Sequence, residues 1–163
     1  MANHLRALVG LFLLTTFLSM VGIAFASSNL VVQGRVYCDT CRAGFETSAT
    51  EYMEGAKVKL QCRNYTNGAI TVTEEGVTDE SGTYKIEVSD DHQEETCAVM
   101  LLKSSRKDCS EVSEDRNHAP VILTHNVGIA SNVRNANSLG FLKDEPLPSC
   151  GQLLMQYALG VDD

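Results

Sequence analysis

Six cysteines, at positions 38, 41, 62, 97, 109 and 150, all lie downstream of a segment with the features of an export signal. Those two features constrain the rest of the chain more than anything else in it. Residues 1–26 have a short n-region carrying Arg6, an apolar stretch over about 7–23, and small residues at Ala24 and Ala26 where signal peptidase reads. The sequence therefore predicts a signal peptide, residues 1–26, cut between Ala26 and Ser27, and one mature β-domain, residues 27–163. Thr15, Thr16, Ser19 and Gly22 interrupt the apolar run, and no basic stop-transfer cluster follows it. Nothing downstream is long and apolar enough to cross a bilayer. The expected product is secreted into the extracellular space, with no membrane insertion of the mature chain.

An even number of cysteines in an oxidising compartment favours three disulfides. The pair Cys38 and Cys41 forms a C-x-x-C, which elsewhere marks redox or zinc chemistry. A thioredoxin-type site needs its first thiolate at a helix N-terminus in a βαβ context, but Gly44 and a Thr/Ser/Thr cluster follow Cys41 without helical periodicity. Zinc needs further ligands at close spacing, and six residues separate His118 from His125. A covalent frame is the better reading, and spacing leaves its 15 possible pairings open. The sequence calls for no cofactor and no metal.

The remaining 163 − 26 = 137 residues suit one domain with one core. Strand patterns recur through it. Residues 29–38 place Val32, Gly34, Val36 and Cys38 on one face; residues 56–62 alternate strictly, with Ala56, Val58, Leu60 and Cys62 inward. Residues 69–73 and 82–88 flank a turn signal at 79–82, and 97–103 is an apolar run expected to be buried on both faces. Residues 121–124 follow Pro120, which opens strands but does not sit mid-ladder. Six or seven strands at short intervals predict an all-β fold, a single disulfide-stapled antiparallel β-barrel or sandwich. Residues 108–119 and 126–138 read as loops, and 150–159 as a short helix or a strand.

Chemistry is narrowed as much by what is missing. The net charge of −8, or −9 without Arg6, and the lack of a basic cluster exclude a nucleic-acid partner. There is no G-x-S-x-G, no H-E-x-x-H and no phosphate-cradling glycine loop, so no catalytic residue is nominated. Asp90-Asp91-His92 reads as a solvated turn rather than an acid–base cluster. Asn64-Tyr65-Thr66 is the one N-x-[S/T] sequon, and Asn64 is the expected N-glycosylation site.

The segments VQGRVYCDTCR (32–42), GAKVKLQC (55–62), TDESGTYKI (78–86) and RNANSLGFLKDEPLPSC (134–150) together resemble the pollen Ole e I family, relatives of the major olive-pollen allergen. The resemblance spans essentially all of the mature chain. It implies a secreted plant protein with a β-barrel-like domain and the pairing Cys38–Cys109, Cys41–Cys150 and Cys62–Cys97. It also implies no enzymatic activity, frequent N-glycosylation, allergen potential, and a role in pollen germination and tube growth through a cell-surface receptor or cell-wall protein. The rival readings are a protease inhibitor, with 108–119 as its reactive loop, and a carrier enclosing a small apolar ligand.

Overall fold

The computed structural model describes residues 29–159; the signal segment and the Ala26/Ser27 cleavage point lie outside them. The elements are β1 (Leu30–Asp39), β2 (Glu51–Tyr52), β3 (Lys57–Asn64), β4 (Ile70–Val77), β5 (Thr83–Val88), β6 (Glu95–Lys103), β7 (Cys109–Val112), β8 (His118–Val121), β9 (Val133–Asn135), β10 (Leu139–Lys143) and a terminal helix α1 (Cys150–Leu159).

Two sheets enclose the core. One is fully antiparallel, in the order β4-β3-β6-β8. The other is assembled on β1, which changes partners halfway along. Its first half pairs antiparallel with β5 and parallel with β9, and its second half pairs antiparallel with β2 and parallel with β10. β7 then extends that sheet beyond β10. The inward alternation expected of β1 and β3 is met: Val32, Val36 and Cys38, and Val58, Leu60 and Cys62, are fully buried.

Several expectations need correction. The sheets form an open sandwich, not a closed barrel, and β9 and β10 lie parallel to β1, so the fold is not purely antiparallel. There are ten strands among the described residues rather than six or seven, because short strands held by long-range pairing carry little periodicity of their own. The predicted loop 108–119 contains β7 and the start of β8, leaving only 113–117 between them. The connection 126–138 contains β9, and β10 follows directly. The strand expected at 121–124 instead runs over His118–Val121, with Pro120 opposite Ala98. β8 is an edge strand, where a missing N–H leaves no ladder bond unmade. β6 is buried on one face only: Cys97 and Val99 are inside, whereas Leu102 is 44% exposed.

Two tyrosines fit the core only because glycine faces them. A Cβ on Gly34 would run into the Tyr84 hydroxyl, and one on Gly140 would lie 2.7 Å from the Tyr37 ring. Both rings are buried, and Tyr84 and Leu60 join Val32, Val58, Ile86, Val99 and Phe141 in one core cluster. The Tyr84 hydroxyl finds no hydrogen-bond partner among the described residues, and burial pushes its pKa well up. Such an orphaned group costs about 1–3 kcal/mol.

Gly34→Ala should therefore cost about 1–3 kcal/mol through overpacking. Tyr84→Phe should be neutral or stabilising by about 1 kcal/mol, since it removes only the orphaned hydroxyl. In denaturant titrations the pair should couple, with the phenylalanine recovering part of the alanine's cost. Simple additivity would show that the two residues do not press on one another.

Candidate functional site

The C-x-x-C sits at the end of β1, where the chain turns sharply. Asp39 precedes the turn and is buried. Its Oδ1 accepts from the backbone N–H of Cys41 (3.2 Å) and Ala43 (3.0 Å), and its Oδ2 from that of Gly44 (2.7 Å). A short acceptor ahead of a turn is the usual device for satisfying such N–H groups. Arg42 takes a left-handed backbone (φ 52°) and sends its guanidinium outward, bidentate to Glu111 at 2.8 Å and to the carbonyl of Lys143 at 2.7 Å. Arg42 holds the Glu111 carboxyl below its usual range through that hydrogen bond.

Neither cysteine of the motif carries a thiol. Cys38 is joined to Cys109, and Cys41 to Cys150 at the first residue of α1; the third bridge joins Cys62 to Cys97. Both motif sulfurs belong to residues at most 5% exposed. A buried disulfide offers no nucleophile and no metal ligand. The same holds for Cys62 and Cys97, which lie close to the Glu95 carboxylate but are bonded to each other.

The bridges differ in what they hold. Cys62 and Cys97 face each other across β3 and β6, already neighbours in the ladder. Cys38–Cys109 links β1 to β7, two strands that both pair with β10. Cys41–Cys150 instead fastens α1, in which Cys150 is buried and residues 151–158 are not. At its other end, α1 is held where the Tyr157 hydroxyl accepts from the N–H of Ser48 (2.9 Å) and its ring meets Phe45 edge-on at 5.5 Å.

Asn64 closes β3 and opens the turn into β4. Its Oδ1 accepts from the N–H of Thr66 (2.9 Å) and Asn67 (3.3 Å), an Asx turn that orients the amide while its Nδ2 donates to none of the described residues. Tyr65 beside it is 66% exposed. The sequon thus lies on an open hairpin tip.

Asp90-Asp91-His92 is a turn, but a braced one. Asp91 accepts from the N–H of His125 (2.9 Å), the Thr124 hydroxyl (2.8 Å) and the N–H of Gln93 (3.0 Å), led by His125, and these bonds lower its pKa. The His92 ring spans Glu95 Oε2 (3.0 Å) and the carbonyl of Ser89 (2.9 Å). His118 lies on β8 beside Asn117, and among the described residues no histidine belongs to a group placed to hold a metal ion. The Asp91 bracket joins two distant turns, which no local signal announces.

Arg134 is a further residue that periodicity missed. It is buried, and its guanidinium donates to the carbonyls of Ser131, Val133 and Thr124, tying both ends of the 124–133 segment. A strand of valine, arginine and asparagine carries no apolar alternation to betray it.

Comparison with known proteins agrees with this stapled architecture. The family model described as pollen protein Ole e 1 like matches residues 28–158. The chain is similar to the pollen-specific protein C13 of Zea mays, 54% identical over 135 residues, which is 83% of this chain and 79% of the relative. It is also similar to an Olee1-like protein of Betula pendula, 48% identical over 150 residues, 90% of both chains. The crystal structure of the major plantain pollen allergen Pla l 1 superposes with a TM-score of 0.67 at 30% identity, covering 76% of this chain and all of that one.

Two outcomes are expected at these positions. In the mature protein expressed in plant cells, peptide-N-glycosidase should remove one glycan, and Asn64→Gln should abolish that mass change. Persistence of the change in the variant would move the modification elsewhere. Cys41→Ala with Cys150→Ala should lower stability by about 2–5 kcal/mol. Hydrogen exchange should then rise over 150–159 and stay slow over 57–64. Equal loss of protection in both segments would mean that α1 is integral to the core.

Proposed function

Because the chain belongs to the pollen protein Ole e 1 like family, we propose that it is a secreted, non-enzymatic interaction protein of pollen, acting on germination and tube growth. The match of that family across residues 28–158, at about half identity to several pollen proteins, is the observation that carries this reading. The Zea mays relative is called a pollen-specific protein and the plantain structure a major pollen allergen, and allergen potential is proposed here on the same footing.

The physical mechanism is recognition by a pre-organised surface. Each bridge closes a long segment, its partners lying 71, 109 and 35 positions apart. In terms of chain entropy alone, that stabilises by about 4–5 kcal/mol per bridge. A scaffold so constrained loses little further freedom when it binds. The partner proposed is a cell-surface receptor or cell-wall protein met after secretion through the leader at 1–26. A glycan at Asn64 would stand on the hairpin tip, clear of the two sheets' packed faces.

The protease-inhibitor reading depended on 108–119 as one exposed rigid loop, but six of those twelve residues are paired strand, leaving 113–117 between β7 and β8. The carrier reading depended on an enclosed barrel, whereas the space between the sheets holds the packed core cluster.

The test is affinity capture from pollen-tube plasma membrane and wall fractions with the oxidised, glycosylated mature protein as bait. The same one or few proteins should be retained by the folded bait and lost when it is reduced and alkylated. Equal retention by the reduced bait, or none by either, would sink the proposal.

A further inference from the structure

The sandwich is open where β4 and β5 part. The turn between them brings Gly76 against the Ile86 side chain, so closely that a Cβ there would lie 2.8 Å away. From that point the two strands diverge. β4 is the last strand of one sheet and β5 pairs only with β1, so neither strand's outer edge is hydrogen-bonded by the other. A groove of about 630 Å³ fills the divergence, lined by Thr71 to Glu74 on one side and by Glu87 to His92 on the other, with Glu95 at its end. The opposite seam, between β8 and β9, holds a second groove of about 470 Å³, but its lining is mainly apolar, with Val121, Ile122, Val127 and Ile129 along it.

Register identifies which backbone groups face this groove. The Cα atoms of Cys62 and Cys97 are 4.0 Å apart, the close spacing of a non-hydrogen-bonded antiparallel pair. The N–H and C=O of Cys62 therefore point the other way, to its β4 partner Val72. By alternation, the N–H and C=O of Thr73 point away from β3, into the open seam. β4 is also exposed on most of its length, unlike a strand with its own core face.

The groove is strongly acidic. Asp91 and Glu95 are already engaged, Asp91 by the 124–125 backbone and hydroxyl, and Glu95 by Thr71 and His92. Glu74, Glu87 and Asp90 are exposed and make no hydrogen bond or ion pair among the described residues. A second copy of this chain is a poor occupant, since it would bring a second acidic groove, with its own Glu74, Glu87 and Asp90, against the first.

We propose that this seam docks an extended, lysine- or arginine-rich segment of a partner protein. The segment adds as a strand to the free edge of β4 and sets alternate cations against Glu74, Glu87 and Asp90. Backbone bonds supply the hold and the carboxylates supply the choice of partner. This rests on the interaction reading above and names the surface that performs it.

The probe is a fluorescent ten-residue peptide alternating lysine and valine, with a glutamate-for-lysine peptide as control, read by anisotropy in low salt. The lysine peptide should bind the mature, oxidised chain and the glutamate peptide should not. Amide signals of residues 71–75 and 87–91 should shift on titration. Glu74→Lys with Glu87→Lys should weaken binding at least tenfold, and Thr73→Pro, which deletes the N–H facing the seam, should do the same in a folded chain. Absence of binding, equal binding of both peptides, or shifts confined to other strands overturns the proposal. So does loss in the charge-reversed chain with full binding by Thr73→Pro, because strand addition is then not the mode. If the charge-reversed bait still captures its pollen-tube partner at native strength, the seam is wrong and the interaction reading stands.

Discussion

Strand β1 hydrogen-bonds to four other strands, and the two-sheet architecture depends on how it changes partners between Arg35 and Val36. A strand has two edges, so serving four neighbours requires handing each edge over partway along. The handover is accompanied by bonds to neighbouring loops: the N–H of Val36 donates to the carbonyl of Gly82 (2.8 Å), and its carbonyl accepts from the N–H of Met53 (3.0 Å). Gly34 and Gly140 flank this region, and each leaves room for a tyrosine ring to lie across the backbone. Close packing makes such fits intolerant of a single added methyl group.

The covalent frame reinforces the same region. Cys38 sits on the second half of β1 and Cys41 in the turn that follows, so two of three bridges start within four residues of each other. They diverge, one to β7 and one to α1. Charged side chains add a surface layer nearby: Arg106 pairs with Glu51 and Asp108, and Lys143 also reaches Asp108. These groups are substantially exposed, and their arrangement orders the surface more than it stabilises the fold.

Function follows from where this frame stops. The end of the domain near β1's turn is closed by two bridges, an Asp39-capped turn and a clamped helix. The β8/β9 side carries an apolar groove along its own connection, which Arg134 ties at both ends. The β4/β5 side has neither a bridge nor a covering loop, and it exposes both strand edges and unpaired carboxylates. An ordered, acidic strand edge loses little further freedom on binding, which is the physical basis of the recognition proposed for it.

Much of this was legible in the chain. Strict alternation in β3 and in β1 reveals which side chains are buried, because a strand's period of two is local and survives any tertiary arrangement. The even cysteine count predicts a covalent frame, and the Asn64 sequon beside Asn67-Gly68 predicts an exposed turn. Other features were not legible. β7, β9 and β10 are three to five residues long, and what makes them strands is pairing with residues far away in sequence. The parallel alignment of β9 and β10 on β1 cannot be read from either segment alone, since parallel register needs both strands placed in space. Residues 150–159 fitted a helix or a strand until the Cys41 bridge and the Ser48–Tyr157 contact are seen to hold a helix. The sequence by itself determined the composition of the core face and the preference for a covalent frame over redox or zinc chemistry, because both depend on residue type and short spacing. Only the tertiary structure decided that the sandwich stays open between β4 and β5, because that opening lies between strands whose divergence no single segment encodes.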